Sequence, residues 1–416
     1  MREMKDSGIE WIGRVPEHWT CIRGKFILTY LQKPVKTNDG VITCFRDGEV
    51  TLRSNRREDG FTMADKEIGY QGVDVGDLVV HGMDGFAGAI GISDTRGKAS
   101  PVLNVLNSSQ NKKYIMYYLR SMAYGEVFTA LATGIRVRSC DLRWNKLSEL
   151  SYPVPPLSEQ KQIATFLDSK CSEIDAISAD IQKEIEILEQ YKRSVVTEAV
   201  TKGLNPDVEM KDSGVPWIGK MPANWTCIKG KYILKYMQKP VKTDDGVITC
   251  FRDGEVTLRS KRREDGFTMA DKEIGYQGID VGDLVVHGMD GFAGAIGISD
   301  SRGKASPVLN VLDSRQNKKY IMYYLRSMAY GDVFAALATG IRVRSCDLRW
   351  NKLSVLLYPV PPLEEQTEIV QYIEDTLNKV NGVISEKKQQ LEVLDSYKKS
   401  LIYEHVTGKK EVPNEQ

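Results

Sequence analysis

Arginines set among turn residues are the densest chemistry this chain offers. FRDGEVTLRSNRRED (45–59) carries Arg46, Arg53, Arg56 and Arg57, and FRDGEVTLRSKRRED (251–265) carries Arg252, Arg259, Arg262 and Arg263. A guanidinium donates through a planar fork that suits phosphate oxygens or the O6/N7 edge of guanine. The interspersed acids leave a second reading open, an ordinary solvated hairpin. ATGIRVRSCDLRW, at 132–144 and unchanged at 338–350, adds Arg136, Arg138, Arg143, Arg342, Arg344 and Arg349. They follow a Thr-Gly that permits close backbone approach to a ligand. Here the alternative is an edge strand with outward-facing arginines. All of these arginines are candidate DNA contacts.

Other chemistries fit poorly. GDLVVHGMDGFAGAIGIS (76–93, and again at 282–299) is glycine-rich, but Gly91 and Gly97 stand too far apart for a P-loop. Ala99 also occupies the place of the magnesium-binding hydroxyl. The glycines are expected to serve tight turns and a loop approaching DNA, and His81 to be structural more often than ligating. No Asp/Asn/Ser-Pro-Pro-Tyr/Phe tetrapeptide, FxGxG loop or convincing D…ExK constellation is present. A self-sufficient methyltransferase or nuclease is therefore a rival without a site, and a scaffold lacking sequence preference is a third reading. Seven cysteines without a CxxC pair and four scattered histidines fit reduced thiols in the cytosol, with no metal centre.

The elements that must position these residues come in two copies. MKDSGIEWIG from Met4 returns as MKDSGVPWIG from Met210, and the same offset aligns Trp19 with Trp225, His81 with His287 and Gln160 with Gln366. From Trp19 to Ser148 about nine positions in ten match Trp225 to Ser354. A period this long is no solenoid, so each copy holds at least one domain. The 416 residues are 41% apolar and 27% charged, an ordinary globular balance, and no apolar run could span a bilayer. Short β-prone runs (40–45, 48–53, 77–82) and a helical stretch (112–132) make each lobe α+β.

After PVPPL (153–157 and 359–363) identity falls while the apolar pattern persists. Ile163, Phe166, Leu167, Ile174, Ile177, Ile181, Ile185, Leu188 and Val195 recur at threes and fours, as do Ile369, Ile373, Leu377, Val380, Ile384, Leu391, Leu394 and Leu401. The spacing predicts two long helices with a coiled-coil seam. A helix of about 43 residues is about 65 Å long, too long to stand alone. The two arms are therefore expected to pair antiparallel, with the lobes about a pseudo-twofold axis. Lys and Arg outnumber Asp and Glu in each lobe, and the reverse holds in each arm. That division suggests lobes that meet a polyanion and a spacer that does not. Lys261 and Arg315, in place of Asn55 and Ser109, make the second lobe more basic.

PVPPLSEQKQIATFLD (153–168) and PVPPLEEQTEIVQYIE (359–374) resemble the specificity subunit of type I restriction–modification systems. GDLVVHGMDGFAGAIGIS with GKASPVLNVL, and the repeated DSGIEWIGRVPEHW, are similar to that family as well. The resemblance implies target recognition domains at 1–153 and 207–359 and conserved-region helices at 154–206 and 360–416. It also implies a cytoplasmic, non-catalytic subunit that binds double-stranded DNA and directs two adenine-N6 methyltransferase subunits and optional nuclease–translocase subunits. No cofactor is expected in the chain itself; the complex would use S-adenosylmethionine, and ATP with Mg2+ for restriction. Matching lobes are expected to read an interrupted palindrome.

Overall fold

A computed structural model describes residues 2–56, 68–130, 142–262, 274–337 and 348–413. The chain forms two compact units, residues 1–181 with 388–416, and residues 182–387. Each unit thus takes one lobe and a length of both long helices.

In the first unit a four-stranded antiparallel sheet runs in the order Leu28–Tyr30, Leu103–Ser108, Leu78–His81, Ile90–Ile92. Leu106 lies opposite Tyr30 on one side and Leu78 on the other. Successive side chains leave opposite faces of a strand. Leu78, Val80 and Leu106 accordingly enter a large core, whereas Val79 and Val105 enter a small one with Ile42, Val50 and Val73. The helix Lys112–Tyr124 covers the larger face with buried Tyr114, Ile115, Tyr118, Leu119 and Met122. Asn111 caps it, its side chain accepting the Tyr114 N–H at 3.1 Å.

The long helices run Leu157–Lys202 and Leu363–Val406, each beginning directly after the double proline. Gln160 is wholly buried at the start of the first. Its Oε1 accepts the Asn111 N–H (2.9 Å), and its Nε2 donates to Pro155 O and the Gln110 side chain, both at 2.8 Å. Beside it, Glu159 accepts from Trp19 Nε1 at 3.2 Å and pairs with Arg2 and His18. These bonds lock the lobe to its helix. Farther along, Phe166 meets His405, and Asp175 pairs with Lys398 at 2.6 Å. The two helix segments of this unit are therefore antiparallel, and Ile163, Leu167, Cys171 and Ile174 share one core with Leu401, Ile402 and Val406.

The second unit has its own sheet in the order Leu234–Tyr236, Leu309–Ser314, Leu284–His287, Ile296–Ile298, beneath the helix Lys318–Tyr330. Gln366 accepts the Asn317 N–H at 2.9 Å and donates to Pro361 O, and Glu365 accepts from Trp225 Nε1 at 3.0 Å. Val196, Ala199 and Val200 pack in one core with Ile369, Val370 and Ile373, and Lys387 pairs with Glu184. Antiparallel pairing of the arms is thus present within each unit. The seam departs from expectation at Ile177, which is 50% exposed.

Candidate nucleic-acid interface

Arg46 lies in the turn of the hairpin Ile42–Cys44/Val50–Leu52, and Arg53 and Arg56 lie in the short turn that follows its second strand. Gly48 makes the hairpin turn with φ +86°, and a Cβ there would collide with the Arg120 guanidinium, which itself donates to Ile90 O at 2.7 Å. Glycines of the neighbouring segment face the same hairpin. A Cβ on Gly91 would lie 2.0 Å from Gly48 O, and one on Gly88 (φ +93°) 2.7 Å from Arg46 O. These glycines therefore serve backbone packing against the arginine hairpin.

On this frame the arginines separate. Arg56 donates to Asp47 (2.7 Å) and Glu49 (2.9 Å) and sits 4.2 Å over the Phe45 ring. The bond to Asp47 raises its pKa above the ordinary guanidinium value. The Arg53 Nε donates to Thr43 Oγ1 at 3.1 Å. Arg46 is different: its side chain is 70% exposed, and one Nη2 hydrogen goes to Asp84 Oδ1 at 2.9 Å. Arg143 is exposed at the N-cap of the short helix Trp144–Glu149. Arg57, Arg136 and Arg138 lie outside the described residues.

The second unit has the same local geometry. Arg252 reaches Asp290 at 2.8 Å and is 70% exposed. Arg262 donates to Asp253 at 2.8 Å, pairs with Glu255 at 2.9 Å and lies 4.1 Å over Phe251. Arg259 donates to Thr249 at 3.1 Å, and Arg349 is exposed before Trp350. Arg263, Arg342 and Arg344 fall outside the described residues. Lys261 does not add a freely presented charge: it is held by Asp300 (3.3 Å) and Ser301 (2.9 Å).

The sequence reading missed Asp84 and Met83. His81 Nδ1 accepts the backbone N–H of Met83 (3.2 Å) and Asp84 (2.9 Å), which places the imidazole proton on Nε2, 3.7 Å from Asp84 Oδ2. Burial lowers the His81 pKa, outweighing the opposite pull of Asp84. His81 thus organises a loop that presents Asp84 to Arg46 and leaves Met83 57% exposed. The glycines flanking Met-Asp in HGMDG were the available signal. Among the described residues, no group of three or more His, Cys, Asp or Glu could hold a metal ion, and no helix is long and apolar enough to cross a membrane.

Residues 75–187 match the family described as the type I restriction modification DNA specificity domain. The type I restriction enzyme MjaVIII specificity subunit of Methanocaldococcus jannaschii is 26% identical over 96% of this chain and 95% of its own length. These likenesses support a specificity subunit of a type I restriction–modification system. A second relative from that organism, a putative type I restriction enzyme MjaX specificity subunit, is 24% identical over 74% of this chain and 71% of its own. A solved structure from work on complex assembly and conformational transition of the type I R-M system covers 95% of this chain and 99% of its own, with a TM-score of 0.67. At 13% identity that likeness speaks for the fold alone. The matched family model describes a DNA specificity domain, and the exposed arginines of each unit carry forks that suit phosphate oxygens or guanine edges.

Proposed function

We propose that this specificity subunit is non-catalytic and reads an interrupted palindrome, each lobe recognising the same half-site on opposite strands. One observation carries the reading: each unit presents the same arginine hairpin with the same hydrogen-bond partners, Arg46–Asp84 and Arg56–Asp47 in one, Arg252–Asp290 and Arg262–Asp253 in the other. Equal surfaces select equal base sequences. Half-sites facing one side of B-DNA lie about one turn apart, about 10–10.5 base pairs centre to centre. With half-sites of three or four base pairs this leaves a spacer of about six. The paired helices set this spacing and seat two adenine-N6 methyltransferase subunits, which bring S-adenosylmethionine; nuclease–translocase subunits bring ATP with Mg2+. Mapping methylated adenine in the source genome with and without this gene tests the proposal. The expected loss is of one interrupted palindrome methylated once in each half; loss of an asymmetric motif would contradict it.

A further inference from the structure

Within that reading, which it presupposes, we infer that Arg46 and Arg252 each read a guanine, and that Asp84 and Asp290 are positioning residues for them. Availability comes first. Arg56 is held by two carboxylates and a ring, and the Arg53 Nε is engaged by Thr43, whereas Arg46 is 70% exposed with a single described partner. One of its five N–H donors goes to Asp84, and the remaining donors keep the paired geometry that matches guanine O6 and N7.

Orientation comes second. A long arginine side chain on a surface normally samples many rotamers, and fixing it before DNA arrives lowers the entropic cost of a directional contact. Asp84 does this, and the loop carrying Asp84 is fixed by two backbone bonds to His81 Nδ1. Close passage of Gly88 over Arg46 O and of Gly91 over Gly48 O ties the loop to the hairpin. Phosphate contacts fix register without carrying sequence information, whereas a base edge is read only by a donor pair held in a set orientation. Arg252, Asp290 and His287 form the same relay at 2.8 Å and 2.9 Å in the other unit, as the duplicated sequence requires, so the inference covers both half-sites.

The test uses the full chain and a pool of randomised duplex DNA, selected by binding and sequenced. Arg46→Lys keeps the charge but loses the fork, so preference for one guanine in one half-site should fall about 10- to 100-fold. The other half, read by Arg252, serves as an internal control for folding. Asp84→Asn should weaken the same position and no other, which a general structural loss would not do. Arg46→Lys with unchanged base preference overturns the inference. So does an Arg46→Gln variant that weakens binding uniformly across sequences with the salt slope reduced by about 0.9, the mark of a lost phosphate contact. If the unaltered chain selects no motif at all, the underlying function is wrong and this inference fails with it.

Discussion

Arg46, in the hairpin turn, and Arg56, just beyond the second strand, are ten residues apart and are held by different partners. Sequence alone places both in one basic cluster, because charge density does not show which acids fold back onto which base. Asp47 and Glu49 close on Arg56, and Asp84 arrives from a separate loop to meet Arg46. Arg56→Ala should therefore act on stability: about 1 kcal/mol lost from the exposed cation–π contact and ion pairs, read as a lower urea midpoint, with unchanged base preference. His81 makes a separate statement. Its folded pKa lies below the ordinary 6.5 because burial disfavours the imidazolium. Its contribution is thus complete above about pH 6.5 and is lost as pH falls through the folded pKa. NMR titration should give an apparent pKa below 6.5 and a neutral form protonated on Nε2; a value above 6.5 would contradict the loop geometry.

At the scale of elements, the double proline and the unbroken apolar recurrence made the long helices legible to within two residues of their start. The seam was less legible. Near each lobe a helix has two partners, the lobe and the other arm, so adjacent residues such as Val195 with Val196 and Leu401 with Ile402 are both buried. Ile177, by contrast, is left exposed although its spacing fits. Periodicity reports which residues share a stripe, not how wide the partner is. The PVPPL-x-EQ string, which carries the resemblance in sequence, is a mechanical joint in the structure. Gln160→Ala strands the Asn111 N–H and Pro155 O in a buried place and should cost about 2–4 kcal/mol. Hydrogen exchange at Asn111 should rise accordingly, and Gln366→Ala should do the same at Asn317. Unchanged protection would mean that the lobe–helix joint rests on packing alone.

For the whole molecule, duplication was the most legible feature, since near-identical lobes must fold alike. Less legible was how the chain is shared. Residues 388–416 complete the unit begun by residues 1–181, with Tyr114 Oη 2.9 Å from Val406 O, while Tyr320 Oη lies 3.0 Å from Val200 O in the other. Sequence order lists lobe then arm; packing instead assigns each lobe one stretch of helix that follows it and one from the other arm. The candidate site was half legible: Arg46 was visible as a candidate, but its pairing with Asp84 was not, because a pairing across 38 residues leaves no local pattern. The central claim is that two equal lobes read equal half-sites. Selection of randomised duplexes by the purified full chain tests it most directly. The account predicts two inverted copies of one short sequence around a fixed spacer of about six base pairs; two different half-sites, or no motif, would contradict it.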